Sequence, residues 1–169
     1  MSKLRVLDLF SGIGGFSLGL ERTGGFETVA LCEIEKYPQS ILRKQWPDVP
    51  IYEDVRNVSA ESLRADGITG IDVICGGWPC QPFSVAGKRD GTADDRHLWP
   101  EVHRLVAELK PRWVFGENVA GFVDMALDET ISDLEAEGYE ARATVIPACA
   151  VNAAHRRDRV WIVAHSNEC

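Results

Sequence analysis

The chain has 169 residues, of which 45% are hydrophobic, and a formal net charge of −8 with a pI near 5.0. This length predicts one domain with a substantial core, and no apolar run could serve as a membrane span or signal peptide, so we expect a soluble cytoplasmic protein. Its five cysteines are odd in number and form no C-x-x-C pair, which predicts neither a disulfide framework nor a metal site.

The first elements are an apolar strand near 5–10 and a glycine-rich turn, Ser11 to Phe16, that leads into a helix near 16–22. The next strand, near 28–33, ends at Glu33, 19 residues after Gly14. A carboxylate at this spacing can accept hydrogen bonds from ribose hydroxyls, whereas the G-x-G-G pattern lacks the third glycine of a dinucleotide site. The sequence therefore favours a nucleoside-bearing cofactor, and a turn that binds no ligand is the alternative.

The remaining elements alternate along the chain. Strands are predicted near 51–53, 71–76, 112–117, 140–147 and 159–164, and helices near 35–46, 59–66, 97–109 and 123–137. The helix near 97–109 has the apolar stripe of one that packs on a sheet. Together these elements predict an α/β fold with a mostly parallel sheet and helices on both faces.

Cys80 lies on a stiff Pro-Cys-x-Pro turn directly after the apolar run from Ile71 to Cys75. Strand ends that face a cleft carry the chemistry of α/β sheets, and a partly ionised thiol is a competent nucleophile. The position indicates a nucleophilic cysteine, although a buried structural cysteine fits this segment alone.

Residues 81–96 contain few apolar side chains and place glycines around a basic tip, Lys88 and Arg89. A stretch of this length inside a compact domain is typical of a lid that closes over a ligand, here a polyanion. An unstructured surface loop is the alternative.

Four segments in this order resemble the cytosine-5 DNA methyltransferase family, and the resemblance extends from Leu4 to Ala164. They are Asp8 to Glu21, Gly76 to Ser84, Glu117-Asn118-Val119 and Arg156 to Arg159. The resemblance implies a Rossmann-like, S-adenosylmethionine-dependent methyltransferase fold whose last strand is antiparallel to the others. It also implies a restriction–modification type of enzyme that methylates a cytosine rotated out of a DNA duplex.

By this resemblance Cys80 is the nucleophile that adds to carbon 6 of cytosine, and Glu117 is the acid at ring nitrogen 3. Arg157 and Arg159 stand beside the flipped base, while His155 occupies a position where the family usually carries Gln. A solvated carboxylate and a solvated basic turn are the alternatives for Glu117 and the arginines. Asn118 is expected to hold its turn through side-chain to backbone hydrogen bonds.

The resemblance also assigns a set of cofactor-binding residues. Those at the methionine end are Phe10, Gly12, Ile13, Gly14 and Gly15; Glu33 binds the ribose, Asp54 and Val55 bind the adenine, and Trp78 and Pro79 line the wall between cofactor and base. Asp54 could instead be a helix N-cap or a surface charge. Leu31 and Ile34 are interpreted as core residues.

Family members normally continue into a target-recognition region and a C-terminal segment, and we expect residues 1–169 to be the catalytic domain without them. DNA binding draws on Lys and Arg that neutralise phosphates, which the net charge of −8 does not supply. A second subunit that carries the recognition region is therefore an expected partner. A non-catalytic cofactor-binding remnant and an RNA cytosine-5 methyltransferase are the alternatives.

Overall fold

The computed structural model describes residues 2–79 and 98–167, so Cys80 and the predicted lid at 81–96 lie outside the described residues. Seven strands form one sheet in the order β3-β2-β1-β4-β5-β7-β6. The strands are β1 (Leu4–Leu9), β2 (Phe26–Cys32), β3 (Ile51–Tyr52), β4 (Val73–Gly76), β5 (Trp113–Val119), β6 (Tyr139–Pro147) and β7 (Asp158–Ser166).

The helices are α1 (Gly15–Glu21), α2 (Lys36–Gln45), α3 (Ala60–Ala65), α4 (Trp99–Leu109), α5 (Phe122–Met125) and α6 (Leu127–Ala136). Short 3-10 turns cover Val55–Asn57 and Ala148–Val151. Every predicted strand is present within a few residues. The prediction of one continuous helix near 123–137 is wrong. Ala126, with φ −150°, interrupts the segment, which forms the two helices α5 and α6.

The predicted antiparallel last strand is confirmed. β1, β2, β3, β4 and β5 pair in parallel, whereas β7 runs antiparallel to both of its neighbours, β5 and β6. The amino end of β7 therefore lies at the same edge of the sheet as the carboxyl ends of the parallel strands. This edge is where open α/β sheets bind their ligands.

Apolar side chains pack on both faces of the sheet. On one face, Leu7 and Ile74 pack with the predicted stripe of α4, in which Val102, Leu105 and Val106 are buried. On the other face, a smaller cluster joins side chains of α1 to β1 and β4. Burial on both faces explains why the central strands are continuous apolar runs instead of alternating ones.

Three cysteines lie in the described part of the chain, and none of them is in a disulfide. Cys32 and Cys75 are buried in the sheet, and Cys149 is exposed. Within residues 2–79 and 98–167, no helix is long and apolar enough to cross a membrane. The same residues contain no group of three or more His, Cys, Asp or Glu arranged to hold a metal ion.

Candidate active site

The glycine-rich turn after β1 is held by the side chain of Glu33, the residue that follows β2. Glu33, 8% exposed, accepts hydrogen bonds from the N–H of Gly12 at 2.7 Å and of Glu35 at 2.8 Å. Gly12 has φ +55°, and Phe10 has φ +54°, which a side chain rarely adopts. Each oxygen of Glu33 keeps a free lone pair, so the carboxylate can hold the turn and still accept from a ligand hydroxyl.

Gly14 serves packing. Its φ is +87°, and a Cβ there would lie 2.4 Å from the ring of Trp46. The indole of Trp46 donates to the Glu21 carboxylate at 3.1 Å, which fixes the ring beneath the turn. Trp46 was not predicted to take part, because an aromatic residue at the end of α2 carries no local signal of its contact with the turn.

Asp8, near the carboxyl end of β1, caps the N-terminal turn of α1. Gly14, the N-cap residue, offers no side chain, and Asp8 Oδ2 instead accepts from the Ser17 hydroxyl at 2.7 Å and the Ser17 N–H at 3.2 Å. Asp8 is 1% exposed, and its other oxygen has no hydrogen-bond partner. Burial raises the pKa of Asp8 to about 6, although the bonds from Ser17 act in the opposite direction.

Replacement of Asp8 by Asn should change how stability depends on pH. Because the folded-state pKa of Asp8 is raised above the ordinary value of 3.8, ionisation between pH 4 and 7 costs the folded state about 2 kcal/mol. We expect the stability of Asp8→Asn relative to the natural chain to rise by about that amount between pH 4 and 7. Urea unfolding at both pH values measures it, with exposed Asp124→Asn as the control; an equal difference at both pH values would contradict the assignment.

A cleft of about 520 Å³ opens beside the carboxyl ends of β2 and β3. Its walls include Phe10, Cys32, Glu33, Ile34, Glu53, Asp54, Val55, Arg56, Gly77, Pro79 and Leu98. The interpretation of Leu31 and Ile34 is half right: Leu31 is buried, but Ile34 is 62% exposed and lines the cleft. The sequence held a signal for the exposure of Ile34. This residue directly follows Glu33, the last residue of the predicted strand, where the chain leaves the sheet.

Asp54 lines this cleft and is also the N-cap of the 3-10 turn that follows β3, so the cap considered for it is present, and its contact with adenine stays a prediction. Its carboxylate accepts from the N–H of Arg56 at 3.0 Å and from the Arg56 guanidinium at 2.7 Å. These bonds lower the pKa of Asp54. The side chain of Val55 is 4% exposed, so a ligand would meet mainly its backbone.

Glu117, near the end of β5, is paired with Arg159, near the start of β7. Arg159 Nε lies 2.6 Å from Glu117 Oε1, and the antiparallel pairing of β5 with β7 brings the two residues together. A Cβ on Gly77 would lie 2.9 Å from Glu117 Oε2, so this carboxylate lies directly against the backbone that leads to Cys80. Arg157, at φ +40°, lies exposed in the turn before β7, and no contact between it and Glu117 is present among the described residues.

Asn118 ties the end of β5 to the segment before Cys80. Its side chain donates to the Trp78 carbonyl at 3.0 Å and accepts from the Val119 N–H at 2.9 Å, which confirms the expected side-chain to backbone bonds. The assignment of Trp78 to the cleft wall is wrong. The ring is 4% exposed and packs in the core against Trp99 and against Gly116, where a Cβ would lie 2.6 Å from it.

A second cleft, of about 590 Å³, lies on the other side of Phe10 and Gly77, which line both clefts. It runs from the glycine turn at Gly15 to Glu117 and ends on Trp161, Ile162 and Val163 of β7. Ile13 is 59% exposed at the tip of the turn. The strand ends thus join two clefts, one beside Glu33 and Asp54 and the other beside Glu117.

The first cleft fits a nucleoside. Its volume lies in the range of small-molecule sites, and it combines apolar walls with three carboxylates, Glu33, Glu53 and Asp54, suited to hydroxyl and amino donors. A sheet with this strand order and an antiparallel β7 between β5 and β6 is the fold of S-adenosylmethionine-dependent methyltransferases. Residues 4–169 match the model of the C-5 cytosine-specific DNA methylase family, and the chain belongs to this family.

Curated relatives agree. The type II methyltransferase M.NgoMIV of Neisseria gonorrhoeae is 39% identical across 96% of this chain and 52% of its own length. M.HgiCII of Herpetosiphon aurantiacus is 36% identical across 96% of this chain and 37% of its own length. The chain therefore spans about half or less of the relatives it matches.

Solved structures share the fold. A putative DNA modification methyltransferase encoded within an E. coli prophage superposes with a TM-score of 0.81 at 28% identity, covering 97% of this chain and 47% of that one. The Dnmt2 methyltransferase of S. pombe superposes with a TM-score of 0.83 at 24% identity, covering 99% of this chain and 52% of that one.

Proposed function

We propose that this chain is the catalytic portion of an enzyme that methylates carbon 5 of cytosine in DNA through a covalent cysteine adduct. The observation that carries the proposal is the Glu117–Arg159 pair, which lies against Gly77 just before Cys80 and beside a cleft shared with the glycine turn. Family membership supports the reaction type.

Cofactor binding is assigned to the first cleft. Glu33 would accept from the ribose hydroxyls, Asp54 and the Val55 backbone would contact the adenine, and the turn at Phe10 and Gly15 would face the methionine end. S-adenosylmethionine, when bound, supplies an electrophilic methyl group. The Gly12 N–H bond to Glu33 pre-organises the turn, so binding requires little ordering of the backbone.

The substrate steps fall to residues at the second cleft. Cys80 adds as a thiolate to carbon 6 of the cytosine ring, and the electron pair displaced from the double bond makes carbon 5 nucleophilic. Glu117, as a carboxylic acid, stabilises the negative charge that develops at nitrogen 3 by donating a proton or a strong hydrogen bond to that nitrogen. Arg159 orients Glu117. After carbon 5 is methylated, loss of its proton to a base expels the thiolate and restores the ring.

Replacement of Glu33 by Ala should weaken binding of S-adenosylmethionine by about 1–3 kcal/mol. The change removes charge-assisted bonds to the ribose and also the acceptor that holds the Gly12 N–H. Calorimetry on the purified chain measures it, with Glu35→Ala, exposed and two residues away, as the matched control. Unchanged affinity, or a preference for a nicotinamide dinucleotide, would contradict the assignment.

The DNA-recognising surface is proposed to lie in polypeptide beyond these 169 residues, in the same protein or in a second subunit. The supporting facts are the net charge of −8 and the greater length of the relatives. Rotating a base out of a duplex costs a few kcal/mol, which must come from contacts along the DNA.

Transfer of labelled methyl groups tests the proposed function directly. Duplex DNA and RNA are offered as acceptors, to the chain alone and to the chain combined with a recognition region. We expect label at carbon 5 of cytosine in DNA, with activity that is low for the chain alone and falls as salt rises. Label found only in RNA would show that RNA, and not DNA, is the substrate. If the chain combined with a recognition region transfers no label, the proposal of a catalytic role is wrong.

A further inference from the structure

We propose that Arg104, on α4, is a positioning residue for the adenine end of the cofactor cleft. Its guanidinium holds the backbone turn that carries Asp54 and Val55. The inference rests on the proposed function, since it takes the first cleft to be the site of an adenosyl group.

The main contacts are two hydrogen bonds to backbone carbonyls. Arg104 Nη2 donates to Val55 O at 3.2 Å and to Val58 O at 3.0 Å. These carbonyls belong to the first residue of the 3-10 turn and to the residue that follows the turn. A single 3-10 turn has poor internal hydrogen-bond geometry, so support from another element matters more here than in an α-helix.

The guanidinium is itself fixed by its own helix. Nε donates to Glu101 at 2.8 Å and Nη1 to Glu108 at 3.2 Å, three and four residues away on the same helix face. Glu108 also accepts from the N–H of Ala60, the first residue of α3. One row of side chains on α4 thus binds both ends of the segment 55–60, and the planar fork of Arg suits two carbonyls and two carboxylates better than an ammonium group does.

The position of this segment sets the geometry of the cleft. Asp54 is anchored to the turn by bonds to Arg56, so its carboxylate follows any shift of the backbone. Val55 is buried, and Arg104 holds its carbonyl directly. Leu98, the N-cap residue of α4, lines the same cleft, so the helix that carries Arg104 also contributes to the wall.

The test measures binding of S-adenosylhomocysteine to the full chain by chemical-shift titration, which covers dissociation constants into the millimolar range. The variants are Arg104→Ala, Arg104→Lys, Asp54→Ala, and Arg104→Ala combined with Asp54→Ala. Arg142→Ala is the matched control, because it breaks an exposed ion pair on β6, at the opposite edge of the sheet. Hydrogen–deuterium exchange of residues 55–60 and urea unfolding are recorded on each variant without ligand.

We expect Arg104→Ala to bind about tenfold more weakly than the natural chain, Arg104→Lys to lie between them, and Arg142→Ala to be unchanged. When Asp54 is already Ala, the loss from Arg104→Ala should fall below about threefold, because both residues act on one contact. Exchange should accelerate at 55–60 beyond what any change in global stability explains.

If Arg104→Ala weakens binding of S-adenosylhomocysteine by the same factor in the natural chain and in Asp54→Ala, the inference is overturned. Arg104 would then support the fold as a whole. Retained affinity in both Arg104 variants, or unchanged exchange at 55–60, would also overturn it. A natural chain that does not bind S-adenosylhomocysteine would reject the proposed cofactor site instead, and the exchange measurement would still decide whether Arg104 holds the turn. If Arg104→Ala does not fold, ligand binding and hydrogen–deuterium exchange are both measured on Arg104→Lys.

Discussion

Duplex DNA with 5-fluorocytosine at the target position should become covalently attached to Cys80 in a form of the enzyme that binds DNA. Fluorine cannot leave carbon 5 as a proton does, so the adduct between the Cys80 sulfur and carbon 6 accumulates after methylation. Cys80→Ser should abolish the attachment completely, because a serine hydroxyl is far less nucleophilic than a thiolate at neutral pH. A gel that resolves free protein from the protein–DNA adduct measures it.

Cys149→Ser is the matched control for this experiment, since Cys149 is an exposed cysteine on a 3-10 turn. It should form the adduct as the natural chain does. An adduct that survives Cys80→Ser and disappears in Cys149→Ser would show that Cys149, and not Cys80, is the nucleophile. Omission of S-adenosylmethionine should prevent the stable trap, because elimination is blocked only after carbon 5 has been methylated.

Replacement of Glu117 by Gln should lower kcat by about 10²–10³-fold, within the range that a positioned acid contributes. Gln keeps the shape of the side chain but cannot donate a proton, and it loses the charge that pairs with Arg159. KM for S-adenosylmethionine should change little, because Glu117 lines the second cleft and not the first. Single-turnover methyl transfer measures the chemical step.

Glu140→Gln is the control, as this carboxylate is exposed and pairs with Arg142 on β6. A Glu117→Gln enzyme that keeps most of its single-turnover rate would remove Glu117 from the acid role. Loss of S-adenosylmethionine binding together with the rate would show that the substitution disturbs the strand end instead of the chemistry.

The order of the elements was predictable from the sequence because it depends on local patterns. Apolar runs of four to seven residues between turn signals predict strands, and the stripe of α4 predicts a helix on a sheet. The antiparallel direction of β7 followed only from the family resemblance, and its position between β5 and β6 was not predicted. Pairing of distant strands depends on long-range contacts that periodicity does not encode.

The site was predictable to the extent that it depends on strand ends. Glu33 and Glu117 could be placed because each lies at or near the carboxyl end of a parallel strand. Trp78 was misplaced because the sequence does not show that Gly116 leaves room for its ring in the core. Arg104 was missed because an arginine in the middle of a helix gives no sign of the carbonyls it binds.

The burial of Cys32 and Cys75 provides a direct assay of the folded state. Burial raises the pKa of Cys32 to about 12 and that of Cys75 well above the ordinary value, so neither thiol ionises appreciably at neutral pH. Alkylation requires attack by a thiolate on the reagent. Cys32 and Cys75 should therefore stay unlabelled in the native chain, while exposed Cys149 reacts. Label found on Cys32 and Cys75 after brief alkylation therefore counts unfolded molecules, including in variants that cannot be followed by activity.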